Sequence, residues 1–129
     1  MRIAITGGTG FLGRYIIRHL AGAGHQLRCW HRPTSDRSGL DKWSIEWLAG
    51  SLGDATATGA LVRGVDAVVH SALEWPRQGG FRFSAQKDQE RFLEANLMGS
   101  LRLFQEAFAA DVPRFTCPTR SNQRLALGG

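Results

Sequence analysis

Apolar and polar positions fall into short alternating blocks along the 129 residues. Ile3, Ala4 and Ile5 predict a strand over 2–6, and glycines follow at once. Leu12, Ile16 and Leu20 recur every four residues and predict an amphipathic helix over 10–23. Gly22 and Gly24 close that helix. A second strand is expected over 25–31, and a third over 44–49 carries Ile45, Trp47 and Leu48. Between them, Pro33, Ser35, Ser38 and Gly39 are turn formers that mark 32–42 as irregular. Asp54 with Thr56 starts a short helix that runs to Arg63 and stops at Gly64. The run Asp66-Ala67-Val68-Val69-His70 is short and β-branched, as in a buried parallel strand.

The segment 74–84, with Trp75-Pro76 and Gly79-Gly80, reads as a loop beyond the carboxyl end of the fourth strand. Ligand-binding loops of open α/β sheets sit on that side. A long helix is expected over 85–110. Phe92, Ala95, Gly99, Leu103 and Ala107 form one apolar row; Leu93, Leu97, Leu101, Phe104 and Phe108 form another. So wide an apolar arc is either covered on more than one face or forms a single broad core face. Val112-Pro113-Arg114-Phe115 begins a fifth strand. Residues 116–129 show neither alternation nor helical periodicity, and Pro118 argues against a central strand there. The order strand, helix, strand, strand, helix, strand predicts an α/β fold with right-handed crossovers.

The first turn carries the chemistry. Gly7, Gly10 and Gly13 are spaced G-x-x-G-x-x-G between a strand and a helix, the context in which such spacing points to a dinucleotide pyrophosphate. Gly7 allows the tight turn, Gly10 lets backbone N–H groups come close to phosphate, and Gly13 lets the helix pack on the strand. The helix start adds unpaired N–H groups and a positive dipole end.

Thr-Gly-Gly-Thr-Gly-Phe-Leu-Gly at 6–13 resembles the TGxxGxxG opening of the extended short-chain dehydrogenase/reductases, also called the NAD-dependent epimerase/dehydratase family. The resemblance continues through Gly53-Asp54, Asp66-Ala-Val-Val-His70-Ser-Ala72 and Asn96-Leu-Met-Gly99, over residues 1–115. It implies a Rossmann-like, doubly wound parallel sheet of order 3-2-1-4-5, incomplete here. It also implies cofactor contacts from Gly7, Thr9, Gly10, Phe11, Leu12 and Gly13. Asp54 matches the family position that hydrogen-bonds the adenine amino group, or else it only caps the helix. Ser71 and Ala72 match the strand end that lines the cofactor. Asn96 matches an asparagine that ties the helix to the active-site region, or else it is a locally satisfied core residue. The helix over 85–110 is the family's sheet-covering helix and often joins a dimer interface, so a homodimer through it is one reading.

NAD-binding folds commonly place an acid at the end of the second strand, on the ribose 2′-hydroxyl. Here His31 and Arg32 stand there, and no acid appears before Asp36. A guanidinium pairs with a 2′-phosphate that a carboxylate would repel, so NADP is favoured, with NAD the alternative. Arg37 is a second candidate, and Arg14 either approaches the phosphate or faces water. His70 has no evident acid/base partner and reads as structural.

Hydride transfer in the resembled family uses a Tyr-x-x-x-Lys pair. The one tyrosine, Tyr15, lies in the first helix with His19 four residues on, and the only lysines are Lys42 and Lys87. Thr116, Thr119 and Ser121 are poor stand-ins for the family's serine pair after the fifth strand. No catalytic residue is therefore expected. A truncated or frame-shifted product or a fragment is the simplest account, with a 116–129 tail. The functional readings are the NAD(P)-binding portion of a reductase, epimerase or dehydratase, or a non-catalytic module, sensor or remnant.

Composition narrows the rest. The net charge of +5 is scattered rather than blocked, which argues against nucleic acid. No apolar run approaches the ~20 residues that span a bilayer, and no signal peptide pattern is present, so a cytoplasmic protein is expected. Cys29 and Cys117 have no metal-ligand spacing, and Cys29 reads as a small core residue.

Overall fold

The computed structural model describes residues 1–74 and 86–118. The expected loop at 75–84 and the tail beyond 118, with Thr119 and Ser121, lie outside them. Five strands, β1 (Arg2–Thr6), β2 (Gln26–His31), β3 (Ile45–Ala49), β4 (Ala67–His70) and β5 (Arg114–Thr116), form one sheet. Every pairing is parallel and the order is β3-β2-β1-β4-β5. The fold is thus an α/β Rossmann-like sheet of the expected order. It reverses direction of growth between β1 and β4, the topological switch point at which such sheets bind ligands.

Side chains of alternate strand positions enter two separate cores. One face joins Ile3, Ile5, Leu27 and Cys29 to Ile17 of α1 (Phe11–Gly22). The other joins Ala4, Trp30 and Val68 to Leu61 and Val62 of α2 (Ala55–Val62) and to Leu103 and Ala107 of α4 (Gly99–Ala109). Cys29 is fully buried, and that burial pushes its thiol up to about 12, so it behaves as the small hydrophobe the sequence suggests.

Arg28 of β2 shows how a polar residue is accommodated in a sheet. Its Nη1 donates to the carbonyls of Ala60 (3.2 Å), Leu61 (3.2 Å) and Arg63 (2.6 Å), at the C-terminal end of α2 and its cap, where helix carbonyls lack intrahelical partners. Its Nε donates to Glu46 on the neighbouring strand at 2.8 Å.

The long helix of the sequence reading is not uniform. α3 (Gln86–Leu93) passes into a π-helical turn over Glu94–Met98 before α4. Gly99 N–H donates to Glu94 O, five residues back, which opens the turn. Only one apolar row is buried, through Ala95, Leu103 and Ala107 with Gly99. Leu93, Leu97, Leu101, Phe104 and Phe108 are exposed. One broad core face is therefore not what forms.

Candidate dinucleotide cleft

β1 ends in Thr6, fully buried, and the chain turns at Gly7 with φ +72°. A Cβ there would also stand 2.7 Å from Ala72 N, so both conformation and space require glycine. Gly10 N–H donates to Gly7 O at 3.0 Å and closes the turn. Gly10 is then the N-cap of α1 and no side chain caps that end. The first N–H groups of α1 thus face outward from a helix start that carries no acidic residue in its first turn.

The three glycines do different work. A Cβ on Gly13 would lie 1.9 Å from Gly7 O, so the helix sits directly on the turn. A Cβ on Gly10 would meet only Gly7 O, at 3.3 Å, and Gly10 is exposed. Position 10 is thus far less constrained by the fold than position 13, and its missing side chain leaves room on the side of the cleft.

A cleft of about 680 Å³ opens over the carboxyl ends of β1, β2, β3 and β4. Gly7, Thr9, Gly10, Phe11, Leu12 and Gly13 form its floor and lip. Arg32 lines it from the end of β2, and Ser71 and Ala72 line it from the end of β4. Phe11 and Leu12 are exposed apolar residues at the rim.

Two expected residues lie elsewhere. Asp54 is not among the cleft-lining residues: its Oδ1 accepts from Ala57 N–H at 2.9 Å and caps α2. The loop positions that do reach the cleft are Gly50, Ser51 and Leu52. Sequence reading passed over them because the Gly53-Asp54 pair beside them drew the match. Asn96 also stands behind the lining. Its Oδ1 accepts from Glu74 N–H at 2.7 Å, and its Nδ2 donates to Glu74 O at 2.8 Å and Phe92 O at 3.0 Å. It therefore holds both polar backbone groups of a lining residue, Glu74, the first residue of the loop expected on the ligand side.

Arg14 neither enters the cleft nor faces water. Its Nε donates to Thr9 O at 3.1 Å, and its guanidinium reaches the Ser38 and Asp36 carbonyls, tying the irregular segment after β2 to the glycine turn. Arg37 lies over the Trp47 ring, 5.5 Å from its centroid. Asp36 shares the cleft with Arg32. Hydrogen bonds from the Ser38 hydroxyl and N–H, with the Arg14 charge 3.8 Å away, hold its carboxyl below the usual range.

The same arrangement recurs in proteins of known class. The sequence pattern of the NAD dependent epimerase/dehydratase family matches residues 3–119. The chain belongs to that family. A putative dihydroflavonol 4-reductase of Synechocystis is 30% identical over 97% of this chain and 34% of its own length. A 3 beta-hydroxysteroid dehydrogenase/Delta 5-->4-isomerase of Mycobacterium tuberculosis is 31% identical over 99% of this chain and 33% of its own. Among solved structures, a short-chain dehydrogenase/reductase superfamily protein from Agrobacterium tumefaciens with bound NAD superposes with a TM-score of 0.67. It is 31% identical, and the match covers 91% of this chain and 32% of that one. Uronate dehydrogenase from the same organism, in complex with NAD, gives a TM-score of 0.64 at 30% identity, over 92% of this chain and 40% of that one. The chain thus spans about a third of the length of the curated relatives it matches. Among its described residues no helix is long and apolar enough to cross a membrane, and no cluster of potential metal ligands occurs.

Proposed function

We propose that residues 1–115 form the dinucleotide-binding part of an extended short-chain dehydrogenase/reductase, and that NADP is preferred over NAD. The observation that carries the reading is the uncapped start of α1 facing the cleft across Gly10, where a side chain would occupy ligand space. Backbone N–H groups at that helix start, with its positive dipole end, suit a pyrophosphate. Gly7, Thr9, Phe11, Leu12 and Gly13 shape the phosphate turn, and Ser71 and Ala72 form the opposite wall. NAD bound in relatives of the same architecture supports the cofactor class.

The preference for NADP rests on Arg32. It lines the cleft at the end of β2, where a guanidinium pairs with a 2′-phosphate. The nearby acid, Asp36, is engaged by Ser38 and faces Arg14. When bound, the nicotinamide supplies hydride chemistry; the residues here bind and orient. Tyr15 is on α1 and outside the cleft lining, so these residues are read as carrying no acid/base pair. The exposed row of α3 and α4 is read as the seat of a homodimer.

Calorimetric titration with NADP and NAD tests this. Wild type binds NADP more tightly, and Arg32→Ala loses about tenfold or more of that affinity, the range expected for hydrogen bonds to a charged group. NAD affinity stays within about twofold. Equal affinities in wild type, or an unchanged preference in Arg32→Ala, overturn the NADP assignment. Hydride transfer by this chain would overturn the reading of its residues as binding groups alone.

A further inference from the structure

Behind the cleft runs a chain of polar side chains that the binding reading leaves unused. His70, at the end of β4, is buried, and so is Thr6, its register partner on β1. Thr6 Oγ1 and His70 Nδ1 are 2.6 Å apart. On the other side of the ring, Nε2 lies 2.7 Å from Ser100 Oγ on α4.

The direction of every bond in this chain follows from hydrogen counting. Ser100 has one hydroxyl hydrogen, and it donates to Asn96 O. Toward His70 it can only accept, so Nε2 carries the ring proton. Thr6 Oγ1 accepts from Ala72 N–H at 3.2 Å, and its own hydrogen points to Nδ1, which must then be bare. Protonating Nδ1 would leave the buried Thr6 hydroxyl hydrogen with no acceptor in the chain, a costly arrangement. The Phe115 ring, its centroid 6.2 Å from that of His70, is a neutral neighbour as well.

Both ends of this chain return to the same wall of the cleft. Thr6 holds the N–H of Ala72; Asn96 holds the N–H and carbonyl of Glu74. We propose that His70 is a positioning residue for the cleft: as the neutral Nε2–H tautomer it is the central link of the chain Thr6–His70–Ser100–Asn96, which fixes residues 71–74 to β1 and to the π turn together. An apolar ring of similar size would fill the same space without joining the two. The π turn has a part in this, because Asn96 lies within it and Ser100 follows just after it, on α4. The importance of the wall for ligand binding rests on the dinucleotide reading above; the chain itself does not.

Long-range ¹H–¹⁵N spectra of the imidazole rings and amide hydrogen exchange, on the full 129-residue chain at neutral pH, test the proposal. His70 is expected to be protonated on Nε2 alone. Ser100→Ala is expected to speed exchange selectively at Ala72, three hydrogen bonds away, by about tenfold, the scale of a local opening. It should weaken NADPH binding by a similar factor, and Ser100→Thr should restore both. Thr6→Val against Thr6→Ser gives the same comparison from the other end if Ser100→Ala does not fold. An Nδ1-protonated or doubly protonated ring, or exchange that rises uniformly across the sheet, overturns the positioning role. A wild type that binds no dinucleotide but shows the expected tautomer and Ala72 response upholds the chain and overturns the function proposed above.

Discussion

At Gly13 and Gly10 the same missing methyl group has opposite meanings. Gly13 is closed by protein: a Cβ would be 1.9 Å from a carbonyl oxygen of the turn. Gly13→Ala is therefore expected to destabilise the chain by about 1–3 kcal/mol or more, as overpacking does, read in urea unfolding. Gly10→Val should cost clearly less than Gly13→Ala in the same unfolding, since its Cβ would stand 3.3 Å from Gly7 O rather than 1.9 Å, and should abolish NADPH binding. Reversed outcomes would show that the cleft lies elsewhere. His70 gives a second residue-scale expectation. Burial lowers its pKa below the ordinary value, so the unfolded chain takes up this proton first as pH falls. Its contribution is complete above about pH 6.5, the ordinary histidine value, and is lost progressively below it. Wild type should accordingly lose more stability than His70→Phe between pH 7.5 and 5.5 in urea unfolding, and an equal loss would place His70 outside the pH response. The glycine roles were legible in the sequence because spacing and flanking elements state them. The His70 chain was not, since Thr6, His70 and the Asn96–Ser100 pair lie far apart in sequence and are joined only by the pairing of β1 with β4 and the packing of α4.

Elements follow the sequence where a local rule governs them. β1 stands over Arg2–Thr6 as its apolar triplet indicates, and α2 begins after Asp54 because that carboxylate bonds the third N–H beyond it. Asp54→Ala should cost about 1 kcal/mol, the usual worth of such a cap, while Asp54→Asn should cost little and neither should alter dinucleotide affinity. Calorimetric melting with a binding titration checks both, and a large affinity loss in Asp54→Asn would return this residue to the cofactor site. The π turn was illegible for a physical reason. One extra residue in a turn shifts phase by less than the width of an apolar arc this broad, so the two rows read straight through it. Leu52 and Ser51 were hidden likewise, because what places them in the cleft is the close approach of α4 to their loop. A Cβ on Gly99 would lie 3.0 Å from Gly53 N.

Among the described residues the sheet is covered unevenly. On one face α1 is the only helix, joined by Leu40 and Trp43 of the segment after β2, and the exposed apolar row running from α3 through the π turn to α4 includes Leu97 at 62% and Phe108 at 78% exposure. Contiguous apolar surface of this kind marks association sites. Sedimentation should show concentration-dependent self-association of wild type, lost in Leu97→Gln/Phe108→Gln with the melting midpoint unchanged. A monomeric wild type would remove the dimer reading, and a midpoint lowered by several degrees would show the row to be packed within the chain. The division of the interior into two cores on opposite faces of a single sheet has an evolutionary corollary. Ile17 and Leu103 share no core neighbour, so substitutions on the two faces should combine additively. Each face is then free to drift in sequence without waiting for compensating change on the other, and the strand residues between them carry the only shared constraint.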